Sequence, residues 1–310
     1  ADGASILEYI NSAADEYAVR EHIHFQHTVL RARFSTETAR WTLDVAVTDE
    51  QGAVREECFS CQFLLLCSGY FNYAQGHAPA FPEQDRFRGT LVHPQHWPQD
   101  LDYRNKRVVI IGSGATAMTL VPALARDAAH VTMLQRSPTY VISRPNRDKL
   151  ANLLRRCLPE RWAYAITRWK NTMLQQWVYR KSRTQPEQVK AQLLKMLRKS
   201  LGPDFDIEKH FTPAYNPWDQ RLCLVPDGDL YAALRSGRAD IVTDHIDRFT
   251  ETGIRLQSGE TLEADIIVTA TGLQLLVMGG ITFEVDGKAV DFGACWTWRG
   301  MLFSGVPNMA

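Results

Sequence analysis

No apolar run in this sequence approaches the ~20 residues that a membrane-spanning helix needs. The longest runs, such as residues 63–67, extend over only a few positions. There is no excess charge of one sign either, because Lys plus Arg number 35 and Asp plus Glu also number 35. A chain without net charge does not attract a phosphate polymer across its whole surface. We therefore expect neither a transmembrane protein nor a nucleic-acid binder.

Cysteine is scarce and scattered, with six in 310 residues. This usage favours a reducing compartment, and hence the cytoplasm, over a disulfide-framed secreted domain. Cys58 and Cys61 form a C-x-x-C pair without a second ligand pair nearby, so we expect reduced structural thiols and no metal site. The G-x-S-x-G nucleophile elbow is missing too, which argues against that class of hydrolase. No secretory segment opens the chain, and residue 1 is Ala, so we expect a fragment of a longer protein.

The length predicts two domains, and the pattern repeats. The chain opens with a predicted helix that has Ile6, Ile10, Ala14 and Tyr17 on one face. Segments of alternating polarity follow at 22–29, 29–34 and 41–48. They lead to an apolar run at 63–67, interpreted as a buried strand that ends at Ser68-Gly69. The same order returns with segments at 241–243, 246–249 and 253–257 and a buried strand at 264–270, which ends at Thr271-Gly272. Each half is therefore predicted to be an antiparallel meander that feeds a buried strand.

Only the second half is preceded by a dinucleotide-binding βαβ pattern. A buried strand at 106–111 runs into Gly112-Ser113-Gly114-Ala115-Thr116-Ala117, which fits G-x-G-x-x-G/A, and a helical stripe and a second strand at 130–135 follow. Gly112 permits the tight turn, Gly114 lets a pyrophosphate approach the backbone, and Ala117 lets the helix pack close to the sheet. The helix N-terminus then offers its free N–H groups to the phosphates. Pro122 predicts a kink in this helix.

The residue that distinguishes NAD from NADP follows the second strand. Enzymes that use NAD place an acidic residue there for the ribose hydroxyl, whereas this chain has Arg136 followed by Ser137. A cation at that position points to the 2′-phosphate of NADP(H).

A longer motif lies between the two halves. Residues 87–98 fit F-x-G-x-x-x-H-x-x-x-W-P, with His93 and Trp97 at the histidine and tryptophan positions. This motif resembles the fingerprint of class B flavin monooxygenases of the Baeyer–Villiger family. The whole chain is most similar to the ethionamide-activating branch, through the segments 93–98, 112–117, 134–140, 215–223 and 304–309. The N-terminal FAD motif of that family and its C-terminal segment are both outside this chain.

The resemblance implies a reaction in two stages. NADPH would reduce FAD, and the reduced flavin would take up O2 as a C4a-peroxyflavin that oxygenates a ketone in a Baeyer–Villiger reaction, or oxygenates sulfur. Linear ketones, thioethers and thioamides are the substrates that this branch suggests. An N- or S-oxygenating flavin monooxygenase or an N-hydroxylase is the alternative within the fold. A truncated remnant that binds NADP(H) without catalysis is the alternative from another class.

The resemblance also implies roles for individual residues. Arg221 matches the arginine beside the flavin, a fixed cation for developing negative charge. The preceding position often holds a lysine for the 2′-phosphate in the family, but here it is Gln220, which leaves more of the NADPH selectivity to Arg136. His93 and Trp97 would couple the two cofactor sites, although a buried aromatic at a domain boundary explains Trp97 as well. Thr271 and Gly272 would be cofactor-adjacent, and Asn308 would belong to a loop that passes the flavin.

Residues 147–210 interrupt this plan with helical patterns at 148–158, 161–180 and 187–201. This insertion holds 15 basic and 6 acidic residues. Three interpretations fit this basic insertion. It could be a basic lid over NADPH, a peripheral membrane contact anchored by Trp162, Trp169 and Trp177, or a set of solvated helices over a Trp-lined core. The Trp-lined core is favoured.

The predicted fold class is α/β, with two Rossmann-like, three-layer ββα dinucleotide-binding domains, β-meanders and a helical insertion. A partial FAD-binding domain is assigned to residues 1–90 and 274–310, so this first domain is incomplete. An NADP-binding domain is assigned to residues 91–146 and 215–273, and the insertion to residues 147–214. The oligomeric state cannot be predicted from the sequence.

Overall fold

The structure of the protein is a computed structural model that describes residues 3–310. Its internal contacts divide the chain into two compact units. The first unit comprises the residues up to Asn72 together with Leu275–Ala310, and the second unit is Tyr73–Gln274. The chain therefore passes between the units twice.

Seven α-helices lie in the described residues. They are α1 (Gly3–Glu16), α2 (Ala115–Leu124), α3 (Lys149–Cys157), α4 (Glu160–Thr184), α5 (Pro186–Leu201), α6 (Ile207–Phe211) and α7 (Asp229–Arg235). None of these helices combines the length and the apolar character that crossing a bilayer requires.

The described part of the chain also forms 19 short strands. They are β1 (His27–Ser35), β2 (Arg40–Thr48), β3 (Val54–Cys61), β4 (Phe71–Gly76), β5 (Thr90–Val92), β6 (Arg107–Ile111), β7 (His130–Gln135), β8 (Tyr140–Arg144), β9 (Leu222–Pro226), β10 (Ala239–Thr243), β11 (Ile246–Phe249), β12 (Gly253–Leu256), β13 (Thr261–Glu263), β14 (Ile266–Thr269), β15 (Leu273–Leu275), β16 (Thr282–Val285), β17 (Lys288–Ala289), β18 (Thr297–Trp298) and β19 (Leu302–Phe303).

A five-stranded parallel sheet forms the centre of the second unit. Its strand order is β10-β7-β6-β14-β5, and every neighbouring pair is parallel. In register, Ile110 lies opposite Met133 on one side and Val268 on the other. The central strands are apolar and buried at 108–111 in β6 and 266–268 in β14, because both faces of the sheet are covered.

Two different layers cover the sheet. Alternate residues of β6 point to opposite faces, so Val108 and Ile110 belong to a core that includes α2, α5, α6 and α7. Val109 and Ile111 belong to a second core under the antiparallel meander β11-β12-β13. Helices, parallel sheet and meander are the three layers predicted for this half of the chain, and the parallel sheet is consistent with a Rossmann-like domain.

The predicted βαβ unit is confirmed as β6, α2 and β7. Helix α2 continues through Pro122 to Leu124. The predicted kink at Pro122 stays a prediction.

The inserted helices begin and end close to the predicted positions. Asp148 caps α3 by accepting a hydrogen bond from the Ala151 N–H at 3.0 Å. Helix α5 begins at Pro186 and ends before Gly202, whose φ of 98° favours glycine. α5 and α6 contribute Leu194, Leu197 and Phe211 to the helix-side core.

The first unit is built on a five-stranded mixed sheet in the order β17-β16-β1-β2-β3. β1, β2 and β3 form an antiparallel meander, and β16 pairs with β1 in parallel. The strand predicted at 41–48 is confirmed as β2, but the segments predicted at 22–29 and 29–34 are replaced by the single strand β1, and β3 was not predicted. Trp41 is fully buried at its centre against Phe34 and Phe283. Its indole N–H donates to the Asn308 carbonyl at 3.0 Å, which holds the last residues against the sheet.

Two strands predicted for this half are wrong. Residues 22–26 are not a strand, because a short 3-10 turn at Arg20–His22 leads into β1 only at His27. Residues 63–67 are not a buried strand either, because a single bridge joins Leu64 to Met309, and Leu65 is 68% exposed. An apolar run becomes a doubly buried strand only when neighbours cover both faces, and in residues 3–310 only the segment at 308–310 lies alongside it.

Candidate functional site

Most of the predicted site residues lie at one edge of the parallel sheet. The carboxyl ends of parallel strands meet at a common edge, where doubly wound folds bind their ligands. His93 follows β5, Gly112 follows β6, Arg136 follows β7, and Thr271 lies two residues beyond β14. The sheet therefore brings together residues that are up to about 180 positions apart in sequence.

Gly112 forms the tight turn at this edge. Its φ is 132°, and its N–H donates to the Leu134 carbonyl at 2.8 Å. A Cβ at this position would lie 2.4 Å from the Ala270 carbonyl oxygen. Both the conformation and the space therefore require glycine.

Gly114 has a different environment. Its backbone is extended, with φ −80° and ψ −178°, and no atom lies within 4 Å of the place where a Cβ would be. Gly114 is the N-cap of α2, and Ala115, Thr116 and Ala117 form the first turn. The N–H groups of a first helical turn lack partners within the helix and form an anion site together with the helix dipole.

Ser113 connects this turn to the end of β7. Its side chain is buried, and its hydroxyl donates to the Ser137 carbonyl at 3.2 Å. Arg136 and Ser137 themselves are exposed. Across residues 3–310, no carboxylate lies within ion-pair distance of Arg136. Its guanidinium is therefore available to an anionic ligand that lies along the Gly112 turn.

Arg221 is held next to the same segment by contacts that sequence reasoning missed. Its Nε donates to Thr139 Oγ1 at 3.2 Å, and the Tyr215 hydroxyl donates to the Arg221 carbonyl at 3.2 Å. The Tyr215 hydroxyl also lies 3.1 Å from Thr139 Oγ1, so each of the three residues contacts the other two. Thr139 is only two residues beyond Ser137, so Arg221 contacts the segment that follows β7. Its predicted place beside the flavin stays a prediction.

Tyr140 supports this set of contacts from the core side. Its hydroxyl donates to the Tyr215 carbonyl at 2.8 Å. Burial, with a smaller contribution from Tyr215, raises the pKa of Tyr140 to about 12. The phenol is therefore protonated at physiological pH and remains a donor.

His93 has a defined tautomer. The backbone N–H of Gln95 can only donate, so Nδ1 of His93 accepts from it, at 3.2 Å. Nε2 then carries the proton and donates to the Gly272 carbonyl, also at 3.2 Å. The same carbonyl accepts from the His77 N–H, and the Thr271 hydroxyl donates to the His77 carbonyl. His93 thus joins the end of β5 to the turn after β14.

Gly76 makes this arrangement sterically feasible, a role that could not be predicted from the sequence. A Cβ at Gly76 would lie 2.0 Å from Cε1 of the His93 ring. Trp97, the second residue of the fingerprint, is half-buried and packs against the helix-side core. Both explanations of Trp97, coupling of the sites and packing, are consistent with this position.

A second hydrogen-bonded set that was not predicted lies at the same edge. The Gln135 amide donates to the His210 carbonyl at 2.7 Å and to Thr243 Oγ1 at 2.8 Å, and Nδ1 of His210 lies 2.8 Å from that oxygen. Burial lowers the pKa of His210, and Lys209 lowers it further. These contacts attach α6 to the ends of β7 and β10.

Asn308 is the one predicted cofactor residue that lies in the first unit. Its φ of 51° is left-handed, and its carbonyl accepts from the Leu64 N–H and from Trp41. Its side chain is exposed. Its proximity to a flavin stays a prediction.

Comparison with known proteins then identifies the family. The sequence profile of the flavin-binding monooxygenase-like family matches residues 2–276. The chain belongs to this family. The predicted resemblance is thereby confirmed.

Relatives within the family are similar over the whole chain. The FAD-containing monooxygenase EthA of Mycobacterium tuberculosis is 51% identical over 311 residues, which cover all of this chain and 63% of that protein. The probable FAD-binding monooxygenase AlmA of Acinetobacter baylyi is 49% identical and is covered to 61%. The chain thus spans somewhat less than two thirds of the length of these curated relatives.

Solved structures share the fold of the chain. An open crystal structure of cyclohexanone monooxygenase superposes with a TM-score of 0.74 at 17% identity, over 98% of this chain and 66% of that one. A structure of OTEMO in complex with FAD and NADP gives the same TM-score at 20% identity, over all of this chain and 64% of that one. At this identity the likeness concerns the mixed α/β fold alone.

Proposed function

We propose that the protein is a monooxygenase that uses FAD, NADPH and O2, and that the second unit of this chain binds NADPH. One observation carries this proposal: the Gly112 turn, the N-terminus of α2 and the exposed Arg136 lie at one edge of a parallel sheet. The full-length relatives that bear the names EthA and AlmA are described as FAD-containing or FAD-binding monooxygenases, which supports the overall activity.

The residues of this edge fit the cofactor. The open space beside Gly114 admits a pyrophosphate against the backbone, and Ala115, Thr116 and Ala117 offer their N–H groups to it. Arg136, assisted by Ser137, would bind the 2′-phosphate. When bound, NADPH supplies a hydride and FAD supplies the chemistry that activates O2. Arg221, fixed by Thr139, would act as a preorganised cation, and His93 would position the turn at Thr271 and Gly272.

The first unit would contribute to the FAD-binding domain. Its meander and its parallel pairing between β1 and β16 fit an incomplete domain of that type. We assign residues 1–90 and 274–310, including Asn308, to this partial domain, residues 91–146 and 215–273 to the NADP-binding domain, and residues 147–214 to the insertion. In this assignment residues 73–90 connect the two domains, although their contacts lie in the second unit.

The proposed substrates are small ketones and sulfur compounds. Baeyer–Villiger oxidation is favoured over N-oxygenation by the complete fingerprint around His93 and Trp97. The six scattered cysteines, all free thiols, fit a reducing, cytoplasmic compartment.

The test of the NADPH site compares two arginines of the same chain. Hydrogen bonds to charged groups contribute roughly 1.5 to 3 kcal/mol, so Arg136→Ala is expected to weaken NADPH binding by about 10- to 100-fold. NADH binding should change little. Arg126→Ala, an exposed arginine that lies beyond the other end of α2, is the matched control. Unchanged NADPH affinity in Arg136→Ala, measured by calorimetric titration, would refute the assignment.

Purified material distinguishes the enzyme from a remnant. Visible flavin absorbance together with ketone-dependent or thioether-dependent NADPH consumption supports a monooxygenase. Colourless protein that still binds NADPH would show that these 310 residues retain the nucleotide site alone.

A further inference from the structure

The long helix α4 exposes a stripe of large apolar side chains. Trp162, Trp169 and Trp177 are 63%, 67% and 58% exposed, and Ile166 and Met173 between them are also exposed. At 100° per residue these five positions fall within an arc of about 80°, along a helix about 37 Å long. The favoured interpretation of these tryptophans as a core is therefore wrong for this chain.

The packed positions of α4 lie on a face that adjoins the stripe. Ala163 and Ser182 are its two buried residues, and Lys170 forms an ion pair with Asp148 at the start of α3 at 2.5 Å. The helix is therefore already fixed on one side by the second unit. The Trp162–Trp177 stripe, defined by the five residues above, lies outside this packed face and is open.

The charge around the stripe is mostly positive. α3 and α4 together carry nine Lys or Arg residues and a single acidic residue, Glu160. In residues 3–310, no acidic side chain pairs with Arg156, Arg161 or Arg180. Lys181 lies over the ring of Trp177, 5.3 Å from its centroid. The rest of the chain carries the compensating negative charge, so this field is local.

Tryptophans in a stripe on a basic helix are suited to the interface of a bilayer. Indole rings prefer the headgroup level, and amphipathic basic helices lie in the plane of that interface. Each Lys or Arg near an anionic surface adds a favourable interaction. A neutral protein surface would use the aromatic residues but not the nine cations.

We propose that the Trp162–Trp177 stripe of α4 is a peripheral docking surface for anionic phospholipid bilayers. The tryptophans would enter the headgroup region, and the flanking arginines would lie at the lipid phosphates. This inference is independent of the proposed NADPH site. It places the second unit at a membrane, where apolar ketones and thioethers accumulate.

The test is flotation of the protein with vesicles of phosphatidylcholine that contain 30 mol% phosphatidylglycerol. We expect binding at low salt, little binding to pure phosphatidylcholine, and release at 1 M salt, where screening is strong. The combined variant Trp162→Ala, Trp169→Ala and Trp177→Ala should lose at least about tenfold in partitioning. Trp296→Ala, an 84% exposed tryptophan outside the helix, should bind like the wild type.

A charge variant separates the electrostatic contribution. This variant combines Arg156→Gln, Arg161→Gln and Arg180→Gln. It should bind the anionic vesicles about a hundredfold more weakly, at about fivefold for each arginine. NADPH titration and circular dichroism confirm that each variant is folded. Three results would overturn the proposal: no flotation at low salt, equal flotation of the triple Trp variant, or a dimer in solution that only the Trp variant dissociates. The last result would assign the stripe to a second copy.

Discussion

Gly112 and Gly114 occupy the same turn, but an added methyl group would act differently at each. At Gly112 a Cβ would lie 2.4 Å from a backbone oxygen, and the φ of 132° is unfavourable for any L-residue. Strain of this kind costs on the order of 1 to 3 kcal/mol or more. We expect Gly112→Ala to lower the free energy of unfolding by at least that amount, as measured in urea.

At Gly114 the space is open and the backbone is extended, so Gly114→Ala should fold with nearly unchanged stability. The new methyl group would occupy the space of the pyrophosphate, and NADPH affinity should fall at least about tenfold. This pair separates a folding role from a binding role within three residues. Wild-type NADPH affinity in Gly114→Ala would contradict the proposed phosphate position.

At the scale of elements, Gly76 controls how β4 ends next to β5. Because the ideal Cβ of Gly76 would lie 2.0 Å from the His93 ring, Gly76→Ala must displace His93 and break its bond to Gly272. We expect a loss of about 1 to 3 kcal/mol in stability. The double variant Gly76→Ala with His93→Ala should recover part of it, because the clash is then absent. Stability is measured by thermal unfolding. If the stability lost by the double variant equals the sum of the losses of the two single variants, the direct contact between Gly76 and His93 is contradicted.

The attachment of α6 predicts a pH dependence. The pKa of His210 is lowered in the folded chain, chiefly by burial, whereas in the unfolded chain it is about 6.5. The unfolded state therefore binds the proton first as pH falls, so stability is complete above about pH 6.5 and declines below it. His210→Gln should flatten this decline between pH 7.5 and 5.5, as measured by urea unfolding. An unchanged slope would exclude His210 as a source of the dependence.

The sequence predicted those elements whose signal is local. The βαβ unit could be predicted because a buried parallel strand, a glycine turn and a helix stripe are adjacent in the chain. The segment at 63–67 could not, since an apolar run does not reveal which neighbours will cover it. The exposed tryptophans of α4 show the same limit, because spacing predicts a common face but not what that face contacts.

The residues of the candidate site also fall into two groups, those with a local sequence signal and those without one. Gly112, Gly114 and Arg136 belong to a pattern that can be recognised within 25 residues. Other contacts position the site and join residues that only the folded sheet brings together. They run from Gly76 to His93, from Thr139 to Arg221 and from Gln135 to Thr243. Such residues lack a sequence signal of their own.

At the scale of the whole molecule, the central claim is that one edge of the parallel sheet binds NADPH. Hydrogen–deuterium exchange of the 310-residue chain, with and without NADPH, tests the location directly. We predict that NADPH slows exchange at the amides of residues 114–118 and of Arg136, Ser137 and Thr139, and that NADH slows the first segment but not the second. Protection elsewhere, or none at saturating NADPH, would contradict the claim.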